Sequence, residues 1–162
     1  MKYTLHPADS VLGSALEIDI QPTYKKIIIA YHTQPSAEAV QWLSPQQTAG
    51  KTHPFLFTQG EAILTRSWIP CQDSPGVRVT YDAKIRTNSP DIMALMSASN
   101  PTEKAADGVY FFEMKQAIPS YLIALAAGNL EFKGVGIRTG VYAEPATLEK
   151  ACLLYTSPSP RD

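Results

Sequence analysis

Residues 58–78, TQGEAILTRSWIPCQDSPGVR, combine features that neither a plain strand nor a plain loop would need. Gln59, Gly60 and Glu61 open the stretch. A short apolar turn, Ala62 to Ile69, follows and is broken by Arg66; Pro70 ends it ahead of Cys71, Gln72 and Asp73. Ser74, Pro75 and Gly76 make a turn, after which Val77, Val79, Tyr81, Ala83 and Ile85 alternate with Arg78, Thr80, Asp82, Lys84 and Arg86. That period of two predicts a half-buried strand. The stretch therefore displays a carboxylate on a short helical turn, anchored behind by a proline-bounded corner and a long strand.

Working outward, the same periodicity predicts further strands over Lys2–Leu5 and Ala15–Ile20, the second with one wet face. Ile27, Ile28, Ile29, Ala30 and Tyr31 run apolar without a break, which predicts a central strand over Lys26–Thr33 covered on both faces. Residues 34–53 turn to Gln, Ser, Thr, Pro and Gly and predict a loop with Trp42 as aromatic anchor. Pro54–Thr58 returns the chain as a short strand. Asp91–Ser97 and Val109–Lys115 are strands joined by a polar loop of hairpin or longer type, and Tyr121–Ala127 is a second continuous buried run. Glu131–Lys133 and Thr139–Ala143 complete the strands, and Thr147–Lys150 opens a helix. The fold class is all-β, saddle-like or sandwich-like, with long loops.

At 162 residues, 44% hydrophobic and 18% charged, the chain has the composition of one soluble globular domain. Its formal charge of −1 gives no reason to expect nucleic acid or an anionic membrane as partner. The longest apolar run, Tyr121–Ala127, is too short to cross a bilayer, and Cys71 and Cys152 imply no disulfide framework.

The marks Gln59, Glu61, Ala62, Arg66, Pro70, Cys71, Asp73 and Pro75, with Gln41-Trp42-Leu43-Ser44-Pro45, Gln47, Thr48, Gly50 and Lys51 upstream, resemble the gluzincin zinc aminopeptidases, which include aminopeptidase N and the bifunctional leukotriene epoxide hydrolase. The resemblance runs from about Lys2 to Ala151 and is nearest to the leukotriene hydrolase branch. It implies an amino-terminal β domain, residues 1–151, that leans over a catalytic domain and lends it part of the substrate site. It also implies truncation at both ends. Lys2–Leu5 resembles a strand part-way into the family's domain, and Met1 reads as an internal methionine. Residues 152–162, CLLYTSPSPRD, match nothing in the family. They correspond to a translated transposase-type sequencing adaptor and are expected to be disordered, with a genuine low-complexity tail as the alternative.

The family's zinc site needs two His four apart on a helix plus a carboxylate. His6, His32 and His53 are widely separated, so zinc is expected in the full-length parent and not in this chain, which should itself be inactive. An aminopeptidase must recognise a free α-ammonium group, for which a fixed carboxylate is the economical device. Glu61 matches the family's residue for that task, Gln59 matches a polar neighbour in the same subsite, and Gly60 contributes backbone. The alternative for Glu61 is a solvated charge in the first turn of a helix. Cys71 reads as a small buried residue beside a turn, Trp42 and Trp68 as core, and Arg66 as a fork for turn carbonyls or Asp73.

The implied function is therefore the substrate-site-contributing domain of a zinc-dependent aminopeptidase. Its partners are a peptide with a free amino terminus and the missing catalytic domain of the same polypeptide. The alternatives are an independent β-sandwich binding or adhesion module, or a hydrolase with its own site, which no nucleophile or metal spacing supports. A cytoplasmic location is expected, or a periplasmic or secreted one should a leader precede the chain.

Overall fold

The structure is a computed structural model that describes residues 2–156. Ten strands and one helix follow in order: β1 (Tyr3–Leu5), β2 (Leu16–Ile18), β3 (Val40–Leu43), β4 (Phe55–Thr58), β5 (Arg78–Arg86), β6 (Met93–Met96), β7 (Val109–Pro119), β8 (Leu125–Gly128), β9 (Glu131–Gly134), β10 (Gly140–Ala143) and α1 (Pro145–Thr156). The domain is mostly strands in open sheets, as the alternation predicts.

The centre is an antiparallel sheet in the order β3-β4-β8-β6. In it Trp42 lies opposite Leu56, Leu56 opposite Ala127, and Ala127 opposite Ala94. Strands β5 and β7 form a separate long ribbon, with Ile85 opposite Tyr110 and a register shift between Val79 and Tyr81. From Tyr81 onward the ribbon alternates as expected, with Tyr81, Ala83 and Ile85 half-buried and their neighbours exposed. That apolar face and the sheet share one core of Met93, Ala94, Met96, Tyr110, Phe112, Ile123 and Leu130, with Phe55, Trp68 and Ile85 packed against it. The Tyr110 hydroxyl donates to the Ile92 carbonyl and accepts the Ala105 amide, both at 3.1 Å, which satisfies the one polar end of a buried ring. Gly128 is required here, because a Cβ would stand 2.4 Å from the Phe55 ring.

Several expectations are corrected. The loop over 34–53 contains β3, whose pairing with β4 is long-range and invisible to local composition. Trp42 is 65% exposed on that strand and is no core anchor. Strands β6 and β7 do not form a hairpin with each other, since β6 joins the sheet and β7 the ribbon. The run over 121–127 splits into a 3-10 turn, Ser120–Leu122, and β8, with Leu122 exposed. Helix α1 begins earlier than expected and runs into the stretch expected to be disordered. The helix packs on β9 and β10 with Cys152 buried, and residues 157–162 lie outside the described residues.

The largest correction concerns Lys26–Thr33, which is neither a strand nor covered. Ile28 is 82% exposed, and Ile27, Ile29 and Tyr31 are exposed beside it. A β-branched run is able to sit between two layers, but none of the described residues supplies a covering layer or a hydrogen bond to the backbone of 25–33. Unpaired amides beside exposed isoleucines template pairing with another strand. The chain is therefore expected to associate at micromolar concentration in light scattering, and Ile28→Lys to reduce that association. A sharp monomer peak from the unaltered chain would contradict this.

Candidate functional site

Gln59, Gly60 and Glu61 leave the end of β4, an interior strand, so their base is fixed on both sides. The Gln59 amide donates to the Ala39 carbonyl at 2.8 Å, and the Gly60 carbonyl accepts the Leu64 amide at 2.9 Å. Gly60 is buried, while Gln59 and Glu61 are exposed. A Cβ on Gly60 would stand 2.5 Å from Thr65 Oγ1, 2.8 Å from the Tyr121 carbonyl oxygen and 3.0 Å from Tyr121 Cα. Backbone cannot yield as a flexible side chain can, so only glycine fits there.

The chain after Glu61 makes a tight turn and then a 3-10 turn, Thr65–Ser67. Glu61 lies in the single turn closed by Gly60 and Leu64, ahead of the 3-10 turn, so the helix-start alternative has no continuous helix to act on. Among the described residues no side chain or amide hydrogen-bonds or ion-pairs with the Glu61 carboxylate, and it faces outward. Neither the groove of about 790 Å³ between the β1–β2 hairpin and Pro70–Asp73 nor that of about 660 Å³ beside Lys84 and Phe111 includes Gln59, Gly60 or Glu61. Gln59 and Glu61 form an exposed rim at the end of β4, and Gly60 is buried between them.

Behind the rim, Asp73 is buried and gathers the corner. Its Oδ2 accepts the Arg66 amide at 3.0 Å and Arg66 Nε at 3.3 Å, and its Oδ1 accepts the Ser120 hydroxyl. The other Arg66 nitrogens donate to the carbonyls of Asp73, at 2.7 Å, and Leu12, at 2.9 Å. Arg66 thus does both things expected of it. Thr65, fully buried, donates to the Ser120 carbonyl at 3.1 Å. Sequence reasoning missed Thr65 and Ser120, whose partners are 55 and 47 residues away and leave no local pattern. It also missed Glu144, whose carboxylate accepts the Ala49 and Gly50 amides at 2.7 and 3.2 Å and so ties the upstream loop to the start of α1.

Trp68 packs on the core as expected, although its Nε1 is buried with no acceptor. Cys71 is exposed, contrary to expectation, because it tops the corner that Asp73 buries beneath it. Its thiol end is nonetheless partly desolvated, which pushes its pKa up to about 11, helped by the Asp73 carboxylate and opposed by the Arg66 guanidinium. Since the thiolate is the nucleophile, a raised pKa leaves less of it at neutral pH. Alkylation of Cys71 by iodoacetamide should be slow at pH 7.5 and still rising at pH 10, whereas a rate that levels off near pH 8 would contradict the assignment.

Two of the histidines serve locally. His6 Nε2 lies 2.8 Å from Glu17 Oε2 across the first hairpin, and His53 lies between Thr52 and Asp91. Among the described residues no three His, Cys, Asp or Glu side chains stand close enough to hold a metal ion, and no helix is long and apolar enough to cross a membrane. The described residues do not fit a zinc ion.

Comparison with known proteins bears on this geometry. The Peptidase M1 N-terminal domain matches residues 11–122. Aminopeptidase B of Rattus norvegicus is 50% identical over 113 residues, 69% of this chain and 17% of that protein. Leucine aminopeptidase 2 of Yarrowia lipolytica is 38% identical over 152 residues, 91% of this chain and 23% of that protein. Native leukotriene A4 hydrolase from Saccharomyces cerevisiae superposes with a TM-score of 0.79 at 29% identity, covering 99% of this chain and 25% of that one. The chain thus spans about a fifth of the length of the curated relatives it matches.

Proposed function

This chain belongs to the M1 peptidase family through its amino-terminal domain, and from that premise we propose that it lends substrate-binding groups to a zinc-dependent aminopeptidase. The observation that carries the reading is the Glu61 carboxylate, exposed and without a partner among the described residues, at the end of an interior strand. Such a group is available to a ligand cation, and its base is fixed, so little ordering remains to be done on binding. A peptide's α-ammonium would meet it in a charge-assisted hydrogen bond. Gln59, exposed beside it, offers an amide to the same substrate end, and the glycine between them keeps the backbone low.

The aminopeptidase names of the relatives support the substrate class. Zinc, and the water it activates, are assigned to another part of the polypeptide, because the described residues of this chain do not fit the metal. The catalytic domain is accordingly the chain's principal partner, a peptide with a free amino terminus is its ligand, and a cytoplasmic setting goes with that work. Nucleic acid and membrane have no part in it.

Hydrolysis of an amino-acid anilide tests the division of labour. The polypeptide carrying this domain joined to its catalytic domain should cleave the anilide, and a zinc chelator should abolish cleavage. The 162-residue chain alone should give none and should bind no stoichiometric zinc. Chelator-sensitive turnover by the chain alone, or no turnover by the joined polypeptide with zinc, would overturn the proposal.

A further inference from the structure

We infer that Thr65 and Ser120 are positioning residues that set where the Gln59–Glu61 rim stands, acting through Gly60. The inference rests on the reading of Glu61 as an ammonium anchor and adds what holds that anchor. Thr65 Oγ1 does two things at once. It donates to the Ser120 carbonyl at 3.1 Å, and it closes the space where a Gly60 Cβ would be, 2.5 Å from that point. The same space is also bounded by the Tyr121 backbone, the residue that follows Ser120 in the chain. Ser120 is itself fixed by its hydroxyl bond to Asp73, and Asp73 by the Arg66 amide, the residue that follows Thr65. The hydrogen bonds run Thr65 to Ser120 to Asp73 to Arg66 and close on the chain next to where they begin. Gly60 packs against that ring at Thr65 and against the Tyr121 backbone that leads out of it.

Thr65 and Ser120 are fully or nearly fully buried and cannot touch substrate. Their effect must therefore pass through Gly60 to the residues on either side. Thr65→Val keeps the volume but removes the hydroxyl, leaving the Ser120 carbonyl without its donor and Gly60 beside a methyl group. Thr65→Ser keeps the hydroxyl.

Two readouts separate positioning from plain stability. In this chain, amide hydrogen exchange should show the Leu64 amide, whose acceptor is the Gly60 carbonyl, exchanging about tenfold faster in Thr65→Val, as for one lost hydrogen bond. The β5–β7 ladder amides should be unchanged and Thr65→Ser should restore protection. A uniform rise across all amides would mean that Thr65 only stabilises the fold.

In the joined peptidase, kcat/KM for the anilide should fall about tenfold in Thr65→Val, recover in Thr65→Ser, and show little further loss when Thr65→Val is added to Glu61→Ala, because both act on one contact. Losses that simply add would overturn the positioning role while leaving the Glu61 anchor standing. A Glu61→Ala variant with unchanged kcat/KM would remove the anchor itself, and the inference with it.

Discussion

Replacing Asp73 with alanine is expected to destabilise the domain by about 3 kcal/mol, the lower end for breaking a buried pair by removal of one partner. The lower end applies because Arg66 keeps partial solvent access and two carbonyl acceptors, at Leu12 and Asp73, that survive the substitution. Three donors lose their acceptor together: the Arg66 amide, Arg66 Nε and the Ser120 hydroxyl. The Asp73 side chain is 1% exposed, so water cannot readily take its place. For a chain of this length the loss corresponds to a fall in Tm of about 6–12 °C. Asp73→Asn, which keeps the shape and one carbonyl oxygen, should lose roughly half as much. Thermal melts followed by circular dichroism measure this directly, and an Asp73→Ala chain that melts within a degree of the unaltered one would show that the corner is not held by this carboxylate.

How much of this was legible in the sequence follows from how far apart the partners lie. The Arg66–Asp73 pair is 7 residues apart and could be expected from the turn between them. Ser120, which completes the same corner, is 47 residues from Asp73, and nothing in its neighbourhood announces that role. The β5 strand was readable from Tyr81 onward because alternation is a local property, but Val79, expected on the same face, is exposed, since the register shifts between Val79 and Tyr81. β3 was not, since Val40–Leu43 carries a glutamine and an exposed tryptophan and becomes a strand by pairing with β4. Ile27–Ile29 shows the opposite failure. Composition reports what a segment is able to bury, whereas burial depends on a covering layer elsewhere in the molecule. Gln59, Gly60 and Glu61 were singled out by resemblance alone, and the need for glycine at position 60 follows only from the Tyr121 backbone and Thr65 against it.

The second large effect is functional. If the Glu61 carboxylate holds the substrate's α-ammonium, Glu61→Ala in the joined peptidase removes an ion-assisted hydrogen bond worth about 1.5 to 3 kcal/mol, or roughly one to two powers of ten in kcat/KM. Glu61→Gln should lose less, because the amide oxygen still accepts a hydrogen bond. Part of the loss belongs in kcat, since an anchored amino terminus also aligns the scissile carbonyl, and misalignment slows the chemical step. Folding should be unaffected, because the side chain is exposed and bonded to none of the described residues. The most direct measurement is the ratio of kcat/KM for a peptide with a free amino terminus to that for its N-acetylated form, in the peptidase with Glu61 and with alanine in its place. The anchor predicts that alanine lowers the ratio at least tenfold, whereas an unchanged ratio with unchanged kcat/KM would leave Glu61 a solvated surface charge and contradict the assignment of the site.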